Sequence, residues 1–233
     1  MAHTVRVKVS GSFACFSRPE AKVERLSYEC LTPSAARGIL DSILWKPEMR
    51  WIVRRISILN EIKFVALKRN EVQSKVAPSA IGKWMKDNST YRPFSAGAGS
   101  EEGTPRNTLA LRDVAYIIEA EPHVFNANSD NTPVKYMAMF NRRVEKGQAH
   151  AQPCFGCREF AAQFEPPIEA DTPLDDSRDL GVMLYDILYD PKRDLRRPLF
   201  FRAKLTHGVL DTRPEHVLDA PTQKEVLTCS YKR

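Results

Sequence analysis

Thr32-Pro33 and Thr132-Pro133 each open a run of helical periodicity, and both runs are bracketed by segments of strand character. A threonine just before a helix accepts a backbone hydrogen bond, and proline at the first helical position lacks only an N–H that would have no partner there. In TPSAARGILDSILWKP, residues Ala35, Ile39, Leu40 and Ile43 recur at helical spacing and Pro47 stops the run. In VKYMAMFNRRVEKG, Met137, Phe140 and Val144 face inward and Gly147 ends the helix. TVRVKVSGSFACF places Val5, Val7 and Val9 on one strand face and Arg6 and Lys8 on the other. RWIVRRISILNEIKFVAL is rich in β-branched residues, with Asn60-Glu61 as a turn between two strands. LRDVAYIIEAEPHVF, REFAAQFEP, VMLYDILYD and RPLFFRAKLTHGVL read as further strands, the last bending at His207-Gly208. The order β-α-β-β-…-β-α-β predicts an α+β fold. A ferredoxin-like unit is expected over residues 1–168, with residues 77–106 as an inserted loop rich in Pro, Gly and Ser. A smaller C-terminal β-sheet domain is expected over residues 169–233.

No run of 18 apolar residues exists among the 233, and the N-terminus alternates where a signal peptide would be continuously apolar. The expected location is the cytoplasm, with no membrane partner. Five cysteines, Cys15, Cys30, Cys154, Cys157 and Cys229, show no disulfide rhythm. Cys154 and Cys157 form a CxxC, but a structural zinc site needs four ligands and only His150 is near in sequence. The motif reads as a reduced structural turn, and no metal or cofactor is expected.

Charge is unevenly spread. Residues 1–75 hold 14 Lys and Arg against 7 Asp and Glu, residues 76–150 hold 9 against 8, and residues 151–233 hold 12 against 14. A cationic first third suits a polyanion partner as well as a solvated basic face. Within it, Gly38 sits inside a helical run, where glycine costs about 1 kcal/mol relative to alanine. The helix is expected to end in Trp45-Lys46, and a core place and a base-stacking platform are both open for Trp45.

TPSAARGILDSILWKP, LKRNEVQSKV and PCFGCREFAAQFE, in that order, resemble the CRISPR-associated RAMP proteins of the fifth Cas family, Dvulg subtype, of type I-C systems. The resemblance runs from about Val5 to Phe201. It implies an RRM-related N-terminal domain and a metal-independent endoribonuclease that cuts CRISPR repeat RNA and keeps the guide's 5′ handle. It also implies CRISPR RNA and the other subunits of the type I-C surveillance complex as partners. Family members that process RNA carry a Lys-His pair at the start of the second helix, matched here by Lys135 and Tyr136, and a Tyr before Trp-Lys-Pro, matched by Leu44. Lys135 is therefore expected to stabilise phosphate charge and Tyr136 to assist proton transfer. A phenol near 10 is a poorer base than an imidazole near about 6.5, and Tyr28 and His150 stand as substitutes. Arg37, Lys46, Trp45, Arg69, Asn70, Lys75, Arg142 and Arg158 are the candidate RNA contacts. Two other readings stay open: a subunit of the same fold that caps the guide without cutting, and a general double-stranded DNA-binding component.

Overall fold

The computed structural model describes residues 4–21, 23–73, 75–97, 103–190 and 195–218. Cys229 and part of the expected insertion, residues 98–102, lie outside the described residues.

The spine is β5 (Gly103–Val124), 22 residues long. Its second half runs between β1 (Val5–Ala14) and β3 (Met49–Ile58), antiparallel to both, so that Ile118 has Val7 on one side and Ile56 on the other. Its first half is flanked by β4 (Phe64–Val72), antiparallel, and by the short parallel β2 (Arg25–Leu26). β6 (Gln163–Glu165) covers the free edge of β1. On the far edge of β3 lies β9 (Val209–Asp211), followed by β8 (Leu195–Thr206) and β7 (Arg178–Asp190). The fold is mixed α/β, built on one nine-stranded, mainly antiparallel sheet in the order β6-β1-β5-β3-β9-β8-β7.

The expected alternation of β1 holds, with Val5, Val7 and Val9 buried. Burial is continuous over Met49–Val53 at the start of β3, as a strand covered on both faces requires. β4 has no fully buried position, and with the first half of β5 it forms an arm that β2 joins only at Thr108 and Leu109.

α1 (Pro33–Ile43) is capped as expected: Thr32 accepts from the Ala35 N–H at 3.3 Å. It buries Ala36, Ile39, Leu40 and Ile43, while Ala35 is only half-buried. α2 (Pro78–Lys86) buries nothing. α3 (Pro133–Glu145) is capped by Thr132, which accepts from the Lys135 N–H at 3.2 Å, and Gly147 ends the turn at φ +60. Phe140 packs on Trp51 of β3, ring centres 4.9 Å apart. Among the described residues no helix is long and apolar enough to cross a membrane.

Several expectations need correction. The strands on either side of Asn60-Glu61 both form, but they do not pair with each other; β5 is long enough to seat them in tandem on one edge. The expected loop over 77–106 holds α2, and β5 already begins at Gly103 and runs through Pro105, opposite Asn70. Of REFAAQFEP only three residues join the sheet, and Ala161 makes one isolated bridge with Cys154. The C-terminal strands continue the main sheet through β9, which pairs with β3 on one side and β8 on the other.

Candidate nucleic-acid interface

Helix α1 ends with unpaired carbonyls, as any helix does, and the chain after α3 folds back to meet them. The Ile43 carbonyl accepts from Arg143, and the Ser42 carbonyl accepts from the N–H groups of His150, at 2.8 Å, and Ala151. The Leu44 carbonyl accepts from the Trp51 indole at 2.8 Å. These contacts hold residues 42–44 against α3, the chain after it and β3, and beside them lies an open cleft of about 430 Å³. It brings together Arg37, Trp45, Lys46 and His150, four of the residues singled out from sequence, with Gly38 on its wall. Trp45 is 41% exposed, so it is not a core residue, and it lies beyond the helix end instead of within it.

Arg37 does not offer its guanidinium outward. Its Nε and Nη2 donate to both oxygens of Asp186 on β7, at 3.0 and 2.9 Å, and its Nη1 donates to Asp41 at 3.0 Å. Arg50 donates to the same Asp186 at 2.5 Å. Burial raises the Asp186 carboxyl, but Arg37 and Arg50 outweigh it and hold the group below the ordinary carboxylate range. For Asp41 burial wins over Arg37 and Arg50, and its carboxyl is raised. Sequence reasoning missed Asp41, Arg50 and Asp186. The available signal was a carboxylate inside the apolar strand VMLYDILYD, which cannot be buried without a cation.

At the first turn of α3, Lys135 is exposed and its ammonium donates to the Asp130 carbonyl at 2.6 Å. Tyr136 is buried, and its hydroxyl donates to Asn131 at 2.9 Å. Burial, and then the Glu48 carboxylate, raise its phenol above the ordinary value, so the group stays protonated and gives up its proton less readily. Leu44 is fully buried. Tyr28 is buried as well, under the Arg18 guanidinium at 4.7 Å, and burial raises its pKa, so it presents no reactive oxygen to solvent.

The remaining candidates lie elsewhere. On the β4 arm Arg69 binds Glu159 at 2.6 Å and Asn70 is exposed; Lys75 follows on an exposed segment. Arg158, exposed, neighbours Glu159, which also binds Arg25 at 3.0 Å. Arg142 is exposed near the C-terminus of α3, and it is Arg143 that reaches α1. The CFGC turn packs on the end of β1: the Cys15 N–H donates to the Phe155 carbonyl at 3.0 Å and Arg25 donates to the Cys157 sulfur at 3.7 Å. A hydrogen bond with the Cys157 thiol lowers Cys15 against the effect of burial, and the same bond raises Cys157.

The family model for the CRISPR-associated protein Cas5, in its Cas5d form, matches residues 4–213. The chain belongs to the Cas5d family. Two curated Cas5d proteins, each named a CRISPR pre-crRNA endoribonuclease, are similar to it. The one from Mannheimia succiniciproducens is 40% identical over 222 residues, covering 92% of this chain and 96% of the relative. The one from Thermus thermophilus is 40% identical over 228 residues, covering 91% and 92%. A crystal structure of a CRISPR-associated protein shares the fold, with a TM-score of 0.61 at 24% identity, covering 89% of this chain and 90% of that one. The Cas5d match spans both the cleft at the end of α1 and the Lys135 end of α3.

Proposed function

We propose that this chain is a metal-independent endoribonuclease that cuts CRISPR repeat RNA and then stays on the 5′ handle of the guide within the type I-C surveillance complex. The observation that carries this reading is the 40% identity, over nine-tenths of the chain, to relatives named as pre-crRNA endoribonucleases. In the reaction the ribose 2′-OH attacks the adjacent phosphorus, its proton leaves to a base, and the P–O5′ bond breaks with a proton delivered to the 5′ oxygen. A 2′,3′-cyclic phosphate and a free 5′-OH result. The protein must stabilise the extra charge on the phosphorane and move two protons.

Lys135 supplies the charge: it is exposed, and among the described residues its ammonium meets the Asp130 carbonyl and the face of the Tyr136 ring, with no carboxylate paired to it. Its place in the first turn of α3 adds the positive end of the helix dipole. Tyr136, buried beside Lys135 and bonded to Asn131, orients the first turn of α3 toward the scissile phosphate. His150, in the cleft at the other end of the 44–48 segment, supplies the base. RNA enters across the cleft and along the basic positions of the β4 arm.

We read β1, α1, β3, β5, α3 and β6 as a ferredoxin-like unit over residues 1–168, a reading supported by the antiparallel order β6-β1-β5-β3. Residues 169–233 are its C-terminal β-rich part, and we assign the protein to the cytoplasm.

The test is cleavage of the cognate repeat RNA by purified protein in excess EDTA, beside a substrate with one 2′-deoxy sugar at the cut site. Cutting that EDTA permits and the deoxy sugar blocks supports the reading. Tight binding of both RNAs without cutting of either makes the chain a guide-capping subunit instead. Lys135→Ala is expected to abolish cutting more than binding; equal loss of both removes it from the catalytic role.

A further inference from the structure

Gly38 is in the middle of α1, where glycine weakens a helix, and the fold gives no reason for it. A Cβ built there meets nothing within 4 Å, so no neighbouring strand or helix needs the space. That space belongs to the cleft at the end of α1. Three further observations point the same way. Trp45 stands half-exposed on the cleft wall, and among the described residues its indole has no hydrogen-bond partner, whereas the Trp51 indole is bonded. Lys46, beside it, has no ion-pair partner among the described residues. Below them Arg50, 8% exposed at its side chain, leaves its buried Nε without a partner.

We propose that this cleft is a single-nucleotide subsite that takes one unpaired nucleotide of the repeat RNA. The base lies over the bare backbone of Gly38 and stacks on Trp45, and the phosphate is met by Lys46. The volume, about 430 Å³, is in the range of small-ligand pockets, and one aromatic wall with one cation is the chemistry that holds a splayed-out base. The buried Arg37–Asp186 and Arg50–Asp186 pairs fix the floor, so the subsite is formed before RNA arrives. This inference rests on the RNA-processing reading above and adds to it a place where single-stranded nucleotides beside the hairpin are held one at a time.

The experiment measures affinity of the full-length protein for repeat RNA in which each unpaired nucleotide beside the stem is made abasic in turn. Wild type, Gly38→Ala, Gly38→Leu, Trp45→Ala and Trp45→Phe are compared. One abasic position is expected to weaken wild-type binding about tenfold or more, the worth of a stacked base. At that position Gly38→Leu and Trp45→Ala should lose as much with intact RNA and nothing further with the abasic RNA, while Trp45→Phe keeps most of the affinity. Gly38→Ala controls for folding: it should raise the melting temperature while weakening RNA binding. Binding of wild type with no abasic position coupled to Gly38 or Trp45 overturns the subsite alone, and so does unchanged RNA affinity in Gly38→Leu, the outcome if the cleft holds a protein side chain. Failure of wild type to bind repeat RNA overturns both the subsite and the RNA-processing reading.

Discussion

Arg37 of α1 and Asp186 of β7 meet as a fork, two parallel hydrogen bonds of 3.0 and 2.9 Å across 149 positions of the chain. The pair joins the helix that carries the cleft to the strands at the far end of the sheet. Asp186 also takes Arg50, and Asp41 takes the third nitrogen of Arg37, so one buried carboxylate joins two guanidinium groups.

Asp186→Ala would leave Arg50 buried without its anion and Arg37 with Asp41 alone. Breaking a buried pair from one side costs about 3–5 kcal/mol, and that loss is expected in urea unfolding. A loss under about 1 kcal/mol would show that water reaches the cluster.

The same carboxylate predicts an acid response. Its folded pKa is lowered, so in acid the unfolded chain binds the proton more readily and stability rises with pH. The contribution is complete above the unfolded value of about 3.9 and is lost as pH falls through the folded pKa. Unfolding free energies of wild type and Asp186→Asn should therefore converge as pH drops below about 4. A gap that stays constant down to pH 2 contradicts the assignment.

Two glycine-to-alanine substitutions should act in opposite directions. At Gly156 the φ is +81 and a Cβ would lie 2.0 Å from the Cys15 carbonyl oxygen, so Gly156→Ala must pull the CFGC turn off β1. A loss well above about 1 kcal/mol is expected. At Gly38 the added methyl is free of contacts and helix propensity should yield a gain of up to about 1 kcal/mol. Thermal melts of the two proteins decide both.

Thr132→Ala removes the cap of α3 and should cost about 1 kcal/mol. Because the bond it removes is to the backbone of Lys135, cleavage is expected to fall further than stability explains. Tyr136→Phe deletes the donor to Asn131 that orients the first turn of α3 and should slow cleavage, with RNA affinity kept. Single-turnover cleavage beside a binding titration separates the two effects.

Local chemistry made α1, α3 and β1 readable. Thr32-Pro33 and Thr132-Pro133 act within a few residues, and the alternation of Val5, Val7 and Val9 is complete in itself. What was not readable depends on distance. Arg37 looked like a phosphate ligand because nothing near it in sequence announces Asp186, and Tyr28 looked available because its burial comes from elements far along the chain. Pro105 looked like a loop residue, yet β5 accepts it opposite Asn70 on the arm. Trp45 and Lys46 were legible as candidates, and the cleft that unites them with His150 depends on the return of the chain after α3 to the carbonyl of Ser42.

The length of β5 has a mechanical consequence. At about 3.2 Å per residue a 22-residue strand reaches up to about 70 Å, well beyond the ~45 Å width of a compact chain of this size. One uninterrupted backbone thus runs from Gly103 on the arm to Val124, one residue before Phe125 in the cleft. A load placed on the arm therefore passes to the cleft along one covalent strand, and it must pass through Asp113, whose φ of +53 puts a left-handed bend between the two ends.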